Sequence, residues 1–291
     1  MKTRLSLVAA TVLTLVGAAA PALGAVAPNA DTTPAPLQYV ALGDSYSAGS
    51  GNLPFSPGVV PYCAQSTKNF SHDIAAATGA HLTDVSCGGA ETKDFTTSQY
   101  PGLAPQLDAV SASTQLITMT IGGNDADTLA IAAGSCGVSS VLTLGLGAPC
   151  KTVFGSTFDN LVQNTVYPNV KAALLAVRAK APNARVVVVG YPWIMPATRG
   201  CWPSLPIAAG DIPYLRSLQA HLNGVIEQAA DETGATFVDM SVLSNGHDSC
   251  QKPVNRWVEP ILGARGFTLI HPNQTGEAEM AKAVMTAIGL S

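Results

Sequence analysis

Residues 40–49 read VALGDSYSAG, and this stretch determines how the rest of the chain is interpreted. The apolar residues from Tyr39 to Leu42 are typical of a short buried strand, which Gly43 ends. A serine that follows the carboxyl end of a strand in a parallel α/β sheet lies at the edge where ligands bind. Ser45 is therefore a candidate functional residue. Because Gly-Asp-Ser also occurs in ordinary turns, the stretch needs support from elsewhere in the chain.

Strands and helices alternate along the remaining sequence. Four more apolar or β-branched runs predict strands, over 81–86, 115–121, 185–190 and 235–238. Apolar residues at helical spacing predict helices over 71–78, 158–181, 214–233 and 274–288, the second of which Pro168 interrupts. The Gly/Ser/Leu-rich residues 133–150 are expected to form an insertion outside this pattern, closed by a disulfide. Residues 241–269 are expected to be mostly irregular. This alternation predicts one α/β domain with a doubly wound parallel sheet.

The N-terminal residues have the composition of a secretory signal peptide. Lys2 and Arg4 precede an apolar run from Leu5 to about Ala20, and small residues follow it. The run is too short and wrongly flanked for a membrane anchor, which is the alternative. We predict a signal peptide over 1–27, a flexible leader over 28–37 and a folded domain over 38–291. The protein is therefore expected to be secreted and extracellular.

The composition excludes several classes of partner. Charged residues make up 12% of the 291 residues and hydrophobic residues 47%, as in compact globular proteins. The formal net charge is −4 and the lysines and arginines do not cluster, so nucleic acid is not an expected partner. No second run reaches the length of a transmembrane helix, so we expect a soluble processed protein.

Six cysteines follow the predicted signal peptide. An even number in a secreted chain favours three disulfides, but six cysteines allow fifteen connectivities. We expect sequential pairing, with the middle pair closing a short loop: Cys63–Cys87, Cys136–Cys150 and Cys201–Cys250. The absence of a Cys-x-x-Cys motif disfavours a zinc or redox site.

Three of the predicted strands end in polar, glycine-rich loops. These are the segments 43–45 (GDS), 87–89 (CGG) and 122–125 (GGND), and the carboxyl ends of parallel strands converge on one crevice. Ser45 offers a hydroxyl nucleophile, and glycines allow backbone N–H groups to approach a developing oxyanion. The Asn124 amide offers a further donor, although its immediate surroundings fit a turn or a helix cap equally well. Together these are the groups that acyl transfer needs.

A serine nucleophile also needs a base, and the chain has five histidines. His72 and His221 lie within helical patterns, His81 begins a strand, and His247 lies in a sequence typical of turns, Asn-Gly-His-Asp. His271 differs because it lies between an apolar run and the last helix, with a proline immediately after it. We therefore select His271, with a simple helix-start residue as the alternative.

These motifs, in this order, resemble the four sequence blocks of the SGNH, or GDSL, hydrolase family. The blocks correspond to 43–47 (GDSYS), a glycine of the second loop, 123–125 (GND) and 271–273 (HPN). The six cysteines and the leader are similar to those of the secreted actinobacterial lipase/esterase branch. The resemblance extends from about Gln38 to Leu290 and implies a three-layer α/β/α sandwich, flavodoxin-like, with a parallel sheet of about five strands.

The resemblance also implies a role for each matching residue. Ser45 corresponds to the nucleophile, and its own N–H to one donor of the oxyanion hole. Gly89 corresponds to the second donor, with the adjacent Gly88 as a competitor, and Asn124 to the third. His271 corresponds to the general base. The family is not expected to use a metal or an organic cofactor.

One position departs from the family pattern. Many members carry an aspartate three residues before the histidine, and here that residue is Thr268. A main-chain carbonyl just before the histidine is then expected to orient it, from Thr268 or Leu269, and we select Thr268. Glu259 and Asp239 are less favoured acids. We therefore expect a dyad of Ser45 and His271.

The implied function is that of a secreted serine ester hydrolase, a lipase or esterase acting in lipid degradation. A phospholipase A or a carbohydrate deacetylase would use the same site, and a non-catalytic binding protein is a remote alternative. Apolar residues at 54–55, 59–60 and 141–146 favour acyl chains over sugars. Gly145-Leu146-Gly147 lacks the following glycine of a dinucleotide-binding loop. The expected partner is a small-molecule or lipid ester, and the expected oligomeric state is a monomer. A transient contact with a lipid surface is compatible with a lipase.

Overall fold

Five short strands form one parallel sheet. In the computed structural model, which describes Ala9 and residues 35–290, the strands are β1 (Gln38–Ala41), β2 (His81–Asp84), β3 (Leu116–Met119), β4 (Arg185–Val189) and β5 (Thr236–Val238). Their order is β2-β1-β3-β4-β5, and all four neighbouring pairs are parallel. This is the flavodoxin-like order, whose switch point lies between β1 and β3. The predicted fold class is confirmed.

Nine α-helices connect or flank these strands in the part of the chain that the structure describes. They are α1 (Ser45–Ala48), α2 (Phe70–Thr78), α3 (Thr128–Leu142), α4 (Pro149–Phe154), α5 (Thr157–Leu161), α6 (Tyr167–Lys180), α7 (Ile212–Thr233), α8 (Met240–Leu243) and α9 (Gln274–Ala287). Four short 3₁₀ segments occur at Pro61–Cys63, Thr92–Phe95, Gln106–Ala109 and Asp125–Asp127.

The side chains of the central strands β1, β3 and β4 alternate between two cores, as the period of a strand requires. On one face, Ile117 and Val186 belong to a cluster that α3, α6 and α7 cover. On the other face, Leu116 and Val187 belong to a cluster that α2 and α9 cover. The sheet is therefore the middle of three layers, with both faces of its central strands buried.

Two helical regions differ from the sequence-based expectation. Residues 133–150, expected to be an insertion outside the strand–helix pattern, contain most of α3 and the start of α4. Glycines and serines weaken the helical pattern there, and the helix depends instead on tertiary packing of residues such as the fully buried Cys136. The predicted helix over 158–181 contains a π-helical turn, Val162–Val166, immediately before α6. This turn accommodates Pro168, which has no N–H to donate.

Three disulfides pair the six cysteines in sequential order. They join Cys63 to Cys87, Cys136 to Cys150 and Cys201 to Cys250. The predicted signal peptide, apart from Ala9, and the leader up to residue 34 lie outside the described residues. Among the helices of residues 35–290, none combines the length and the apolar character that crossing a bilayer requires.

Candidate active site

Ser45 is the first residue of α1, four residues beyond the end of β1. Gly43 permits this tight turn because its φ is +113° and a Cβ there would lie 2.3 Å from the Thr120 carbonyl oxygen. Asp44 caps α1 by accepting the Tyr46 N–H at 3.0 Å. The turn fixes Ser45 at the carboxyl edge of the sheet, beside the switch point.

The imidazole of His271 is held between a hydroxyl and a carbonyl. Its Nε2 lies 2.7 Å from Ser45 Oγ, and its Nδ1 lies 2.7 Å from the Leu269 carbonyl oxygen. Because a carbonyl only accepts, the proton is assigned to Nδ1, which leaves Nε2 to accept from Ser45. Burial lowers the pKa of His271 below its usual 6.5, and the Leu269 carbonyl offsets part of that effect. The geometry is that of a serine with an adjacent base.

The orienting carbonyl belongs to Leu269, so our choice of Thr268 is wrong. The Thr268 carbonyl instead accepts the backbone N–H of His271 at 3.2 Å. The Thr268 hydroxyl donates to the Arg265 carbonyl oxygen. Ile270 has a left-handed φ of +53°, and this conformation turns the Leu269 carbonyl toward the ring.

Contacts from distant parts of the chain stabilise the unusual conformation of Ile270. The Tyr46 hydroxyl donates to the Ile270 carbonyl at 2.6 Å, and the Ile270 N–H donates to Glu259 O at 3.0 Å. A left-handed β-branched residue costs roughly 1–3 kcal/mol, and these bonds hold it in place.

Neither of the two alternative acids contacts the His271 ring. The buried Glu259 carboxylate pairs with Arg256 and Arg265 and accepts from Asn273. Asp239 caps α8 by accepting from Ser241. Within residues 35–290, the His271 ring therefore has no carboxylate partner.

The other four histidines have different partners. His72 contacts Asn69 and Asp84, and His221 contacts Asp159 and Gln163. The remaining two are His247, which stacks on Trp257, and His81, which is exposed at the start of β2.

The loops around Ser45 carry several N–H groups, of which some already have acceptors and others do not. The Gly88 N–H donates to Cys63 O at 2.8 Å, whereas the N–H groups of Ser45 and Gly89 have no acceptor among residues 35–290. Gly89 has a φ of +75°, which its lack of a side chain allows. The Asn124 amide donates one hydrogen to Ala90 O at 3.1 Å and retains a second. This geometry favours Gly89 over Gly88 as a donor to a bound oxyanion.

A buried network that the sequence analysis missed connects the first loop to the third. The Tyr191 hydroxyl donates to Asp44 Oδ2 at 2.5 Å and accepts the Gly123 N–H at 2.9 Å. Thr120 donates to the other oxygen of Asp44 at 2.6 Å. Burial raises the pKa of Asp44 to about 6, and the bonds from Thr120, Tyr191 and Tyr46 limit the rise. Tyr191 follows β4, so the rule that strand ends converge identifies it in retrospect.

A second carboxylate connects the second and third loops. Asp125 accepts the Thr92 N–H at 2.8 Å and the Thr92 hydroxyl at 2.7 Å. Asp125 follows Asn124 directly, and Thr92 lies three residues after Gly89. The spacing between the two donor loops is therefore fixed by hydrogen bonds that do not involve the donors themselves.

An apolar cavity of about 220 Å³ opens beside Ser45 and His271. Most of its wall comes from α3, α7 and the segment between β4 and α7, and includes Ile194, Met195, Leu205, Ile207, Leu215, Leu218, Ile261 and Ile270. The apolar residues at 54–55, 59–60 and 141–146 do not line it. Such a cavity accommodates a hydrocarbon chain better than a sugar. In the described part of the chain, no cluster of three or more His, Cys, Asp or Glu residues could hold a metal ion.

Comparison with known proteins agrees with this geometry. A sequence model described as the GDSL-like lipase/acylhydrolase family matches residues 41–278. The chain belongs to this family. The resemblance inferred from the four sequence blocks is therefore confirmed.

Relatives of this GDSL-family chain are lipases and related hydrolases. It is 54% identical to Lipase 2 of Streptomyces coelicolor over 90% of this chain and 88% of that protein. The crystal structure of phospholipase A1 from Streptomyces albidoflavus NA297 matches with a TM-score of 0.71 and 27% identity, covering 88% of this chain and 99% of that one. The extracellular lipase of Streptomyces rimosus matches with a TM-score of 0.70 and 27% identity, over 86% and 99% of the two chains. The chain is a carboxylic ester hydrolase.

Proposed function

We propose that this GDSL-family hydrolase cleaves esters of hydrocarbon-chain acids with a Ser45–His271 dyad. The observation that carries the proposal is the 2.7 Å contact between Ser45 Oγ and His271 Nε2 beside an apolar cavity. The Leu269 carbonyl replaces the usual acid and holds the imidazole in the tautomer that accepts from Ser45.

The first step forms an acyl-enzyme. Ser45 Oγ attacks the ester carbonyl carbon while His271 Nε2 takes the hydroxyl proton. The C–O bond to the alcohol then breaks, and His271 returns the proton to the leaving oxygen. Water attacks the acyl-enzyme by the same route, releasing the acid and restoring Ser45.

The oxyanion forms where three donors meet. The Ser45 N–H, the Gly89 N–H and the free hydrogen of the Asn124 amide stabilise the negative charge of the tetrahedral intermediate. Losing one such donor typically lowers kcat by about 10²–10³-fold. Asn124→Ala is therefore expected to reduce kcat by that factor and to leave KM nearly unchanged.

A test of the dyad uses two matched pairs of variants. Ser45→Ala and His271→Ala are each expected to lower p-nitrophenyl ester hydrolysis by at least about 10³-fold in folded protein. Ser111→Ala and His221→Ala serve as controls, because both residues lie outside the lining of the cavity. Near wild-type activity in either dyad variant would refute the assignment. Failure of the wild type to react with a fluorophosphonate would instead favour a non-catalytic binding protein.

The apolar cavity supports a lipid ester as the substrate rather than an acetylated sugar. A phospholipase A activity is the second candidate, and the similarity to phospholipase A1 favours it. Release of fatty acid from triglyceride and from phosphatidylcholine would separate these two activities. Release of acetate from acetylated xylan at a higher rate than either would contradict both.

We also propose that the chain is secreted after removal of residues 1–27 and acts as a monomer. Its three disulfides are typical of proteins that fold in an oxidising compartment. Mass spectrometry of protein from a culture supernatant tests the cleavage site, and light scattering tests the oligomeric state.

A further inference from the structure

The α3–α4 hairpin presents apolar side chains to solvent. Six of them, which we call the hairpin face, are between 53% and 79% exposed: Val138, Val141, Leu142, Leu144, Leu146 and Val153. A groove between the two helices brings together Val138, Leu142 and Val153. The hairpin, residues 128–154, carries one charged side chain, that of Lys151. A contiguous apolar surface of this kind marks an interaction site in most soluble proteins.

The hairpin face adjoins the apolar cavity. Ala132, Ala133 and Gly137 line the cavity from α3, the helix that carries three residues of the hairpin face. Gly145 lies between Leu144 and Leu146 and packs against Trp202, which is 41% exposed. The exposed apolar surface is therefore close to the wall that holds the acyl chain in the proposed function.

The hairpin is fastened to the rest of the fold. The Cys136–Cys150 disulfide joins its two helices, and the buried Asp211 carboxylate accepts the N–H groups of Cys150 and Lys151 at 3.0 and 2.9 Å. Ser140 Oγ accepts the Ala208 N–H at 2.7 Å. These bonds hold the apolar side chains outward, so their exposure does not reflect a loose loop.

We propose that the hairpin face docks on a lipid–water interface without net charge and delivers lipid esters to the cavity. Apolar side chains on a short helical hairpin bury themselves at the boundary between headgroups and acyl chains. Anionic lipid attracts clusters of basic residues, and the hairpin has one basic residue, Lys151, in a chain of net charge −4. This inference rests on the proposed function, because it assumes that the cavity takes a lipid acyl chain.

The test measures vesicle binding separately from catalysis. In a Ser45→Ala background, which does not consume lipid, partitioning to phosphatidylcholine vesicles is measured by flotation. Leu142→Ser combined with Leu146→Ser is expected to lower the partition coefficient by about tenfold or more. The matched control combines Leu175→Ser and Leu290→Ser, at exposed leucines outside the hairpin, and is expected to change it by less than about twofold. About 1 M NaCl is expected to leave binding intact, because charge does not drive it.

Activity measurements in the Ser45-containing protein distinguish the two proposals. The hairpin variant should hydrolyse dissolved p-nitrophenyl butyrate at the wild-type rate and vesicle phosphatidylcholine or emulsified triglyceride more slowly. If the dyad assignment fails, Ser45→Ala retains activity on the dissolved ester whatever the vesicle result. Equal vesicle binding by wild type and hairpin variant would overturn the docking proposal. So would a wild-type dimer in light scattering that the hairpin substitutions dissociate without affecting vesicle binding.

Discussion

At the scale of single residues, the Leu269 carbonyl sets the properties of His271. A carbonyl fixes the tautomer of the ring as a carboxylate would, but it carries no full negative charge to stabilise the imidazolium. Burial therefore dominates, and it lowers the pKa of His271. The base is consequently neutral, and able to accept a proton, at a lower pH than an ordinary histidine.

The first prediction concerns the dependence of the rate on pH. Because His271 must be neutral to act as base, kcat/KM for a soluble ester should rise with pH and reach half its maximum below pH 6.5. A pH–rate profile measures this midpoint. Leu269 contributes only its carbonyl, so Leu269→Ala should leave the midpoint unchanged. A wild-type midpoint above about 7 would contradict the assignment of a buried, uncharged environment.

The second prediction assigns Tyr191 as a positioning residue. Tyr191→Phe removes a donor from Asp44 and an acceptor from Gly123, so the loop carrying Asn124 loses one of its attachments to the loop carrying Ser45, while the Thr120–Asp44 bond remains. We expect a loss of about 1–3 kcal/mol in the free energy of unfolding and a lower kcat with KM nearly unchanged.

Tyr39→Phe is the matched control for Tyr191→Phe. Tyr39 is also fully buried, and its hydroxyl bonds to Thr118 Oγ1 at 2.6 Å on the face that α2 and α9 cover. It should lower stability without lowering kcat. Equal effects of the two substitutions on kcat would show that Tyr191 is merely structural.

At the scale of elements, the start of α9 determines where His271 lies. Asn273 caps this helix by accepting from the N–H groups of Thr275 and Gly276, and its amide donates to the buried Glu259 carboxylate at 2.7 Å. One side chain thus attaches α9 to the segment that also bonds Ile270. The junction therefore helps to position the base, together with the contacts of its ring.

The third prediction tests that junction. Asn273→Ala should lower the free energy of unfolding by about 2–4 kcal/mol, since it removes a helix cap and a donor to a buried carboxylate. It should also lower kcat, because His271 lies two residues away. Chemical denaturation and steady-state kinetics measure the two effects.

Asp239→Ala provides the control, because it removes the cap of α8 in the same way. It should cost about 1 kcal/mol and leave kcat unchanged. A large loss of kcat in Asp239→Ala would revive Asp239 as the acid of a triad.

At the scale of the whole molecule, a buried carboxyl joins two helices that cover the sheet. Glu277 of α9 is fully buried, and its Oε2 accepts the Phe70 N–H at the start of α2 at 2.9 Å. Its Oε1 has no hydrogen-bond partner within residues 35–290. Burial raises the pKa of Glu277 well above its usual value, and the nearby Asp73 and Asp84 add to the rise. The folded protein therefore retains the proton on this group to a higher pH than the unfolded chain does.

The fourth prediction follows from that proton. The unfolded chain releases it above a pH of about 4.3, whereas the folded protein retains it, so Glu277 makes stability fall as pH rises. Its contribution to this slope is about 1.4 kcal/mol per pH unit between the unfolded and folded pKa values. Glu277→Gln stays neutral and should flatten the dependence measured by urea unfolding between pH 5 and 8. Glu279→Gln, at a partly exposed residue of the same helix, should not. Parallel curves for wild type and Glu277→Gln would contradict this assignment.

The residue pattern alone predicts the strands, the parallel sheet and the family, and it selects Ser45, Asn124 and His271 as candidate site residues. Hydrophobic period and glycine position are local properties, so β1 and the loop containing Ser45 are visible in the residues around them. Asn124 and His271 were identified in the same way, because each lies where a strand ends or a helix begins.

Which groups meet these residues depends on how distant segments fold together. The choice between Thr268 and Leu269 depends on the backbone of Ile270, which a hydroxyl from Tyr46, more than two hundred residues away, holds in place. The role of Tyr191 and the wall of the cavity likewise arise from segments brought together by folding. Long-range contacts of this kind leave no periodic signal in the chain, because their energy is gained only once the sheet has assembled.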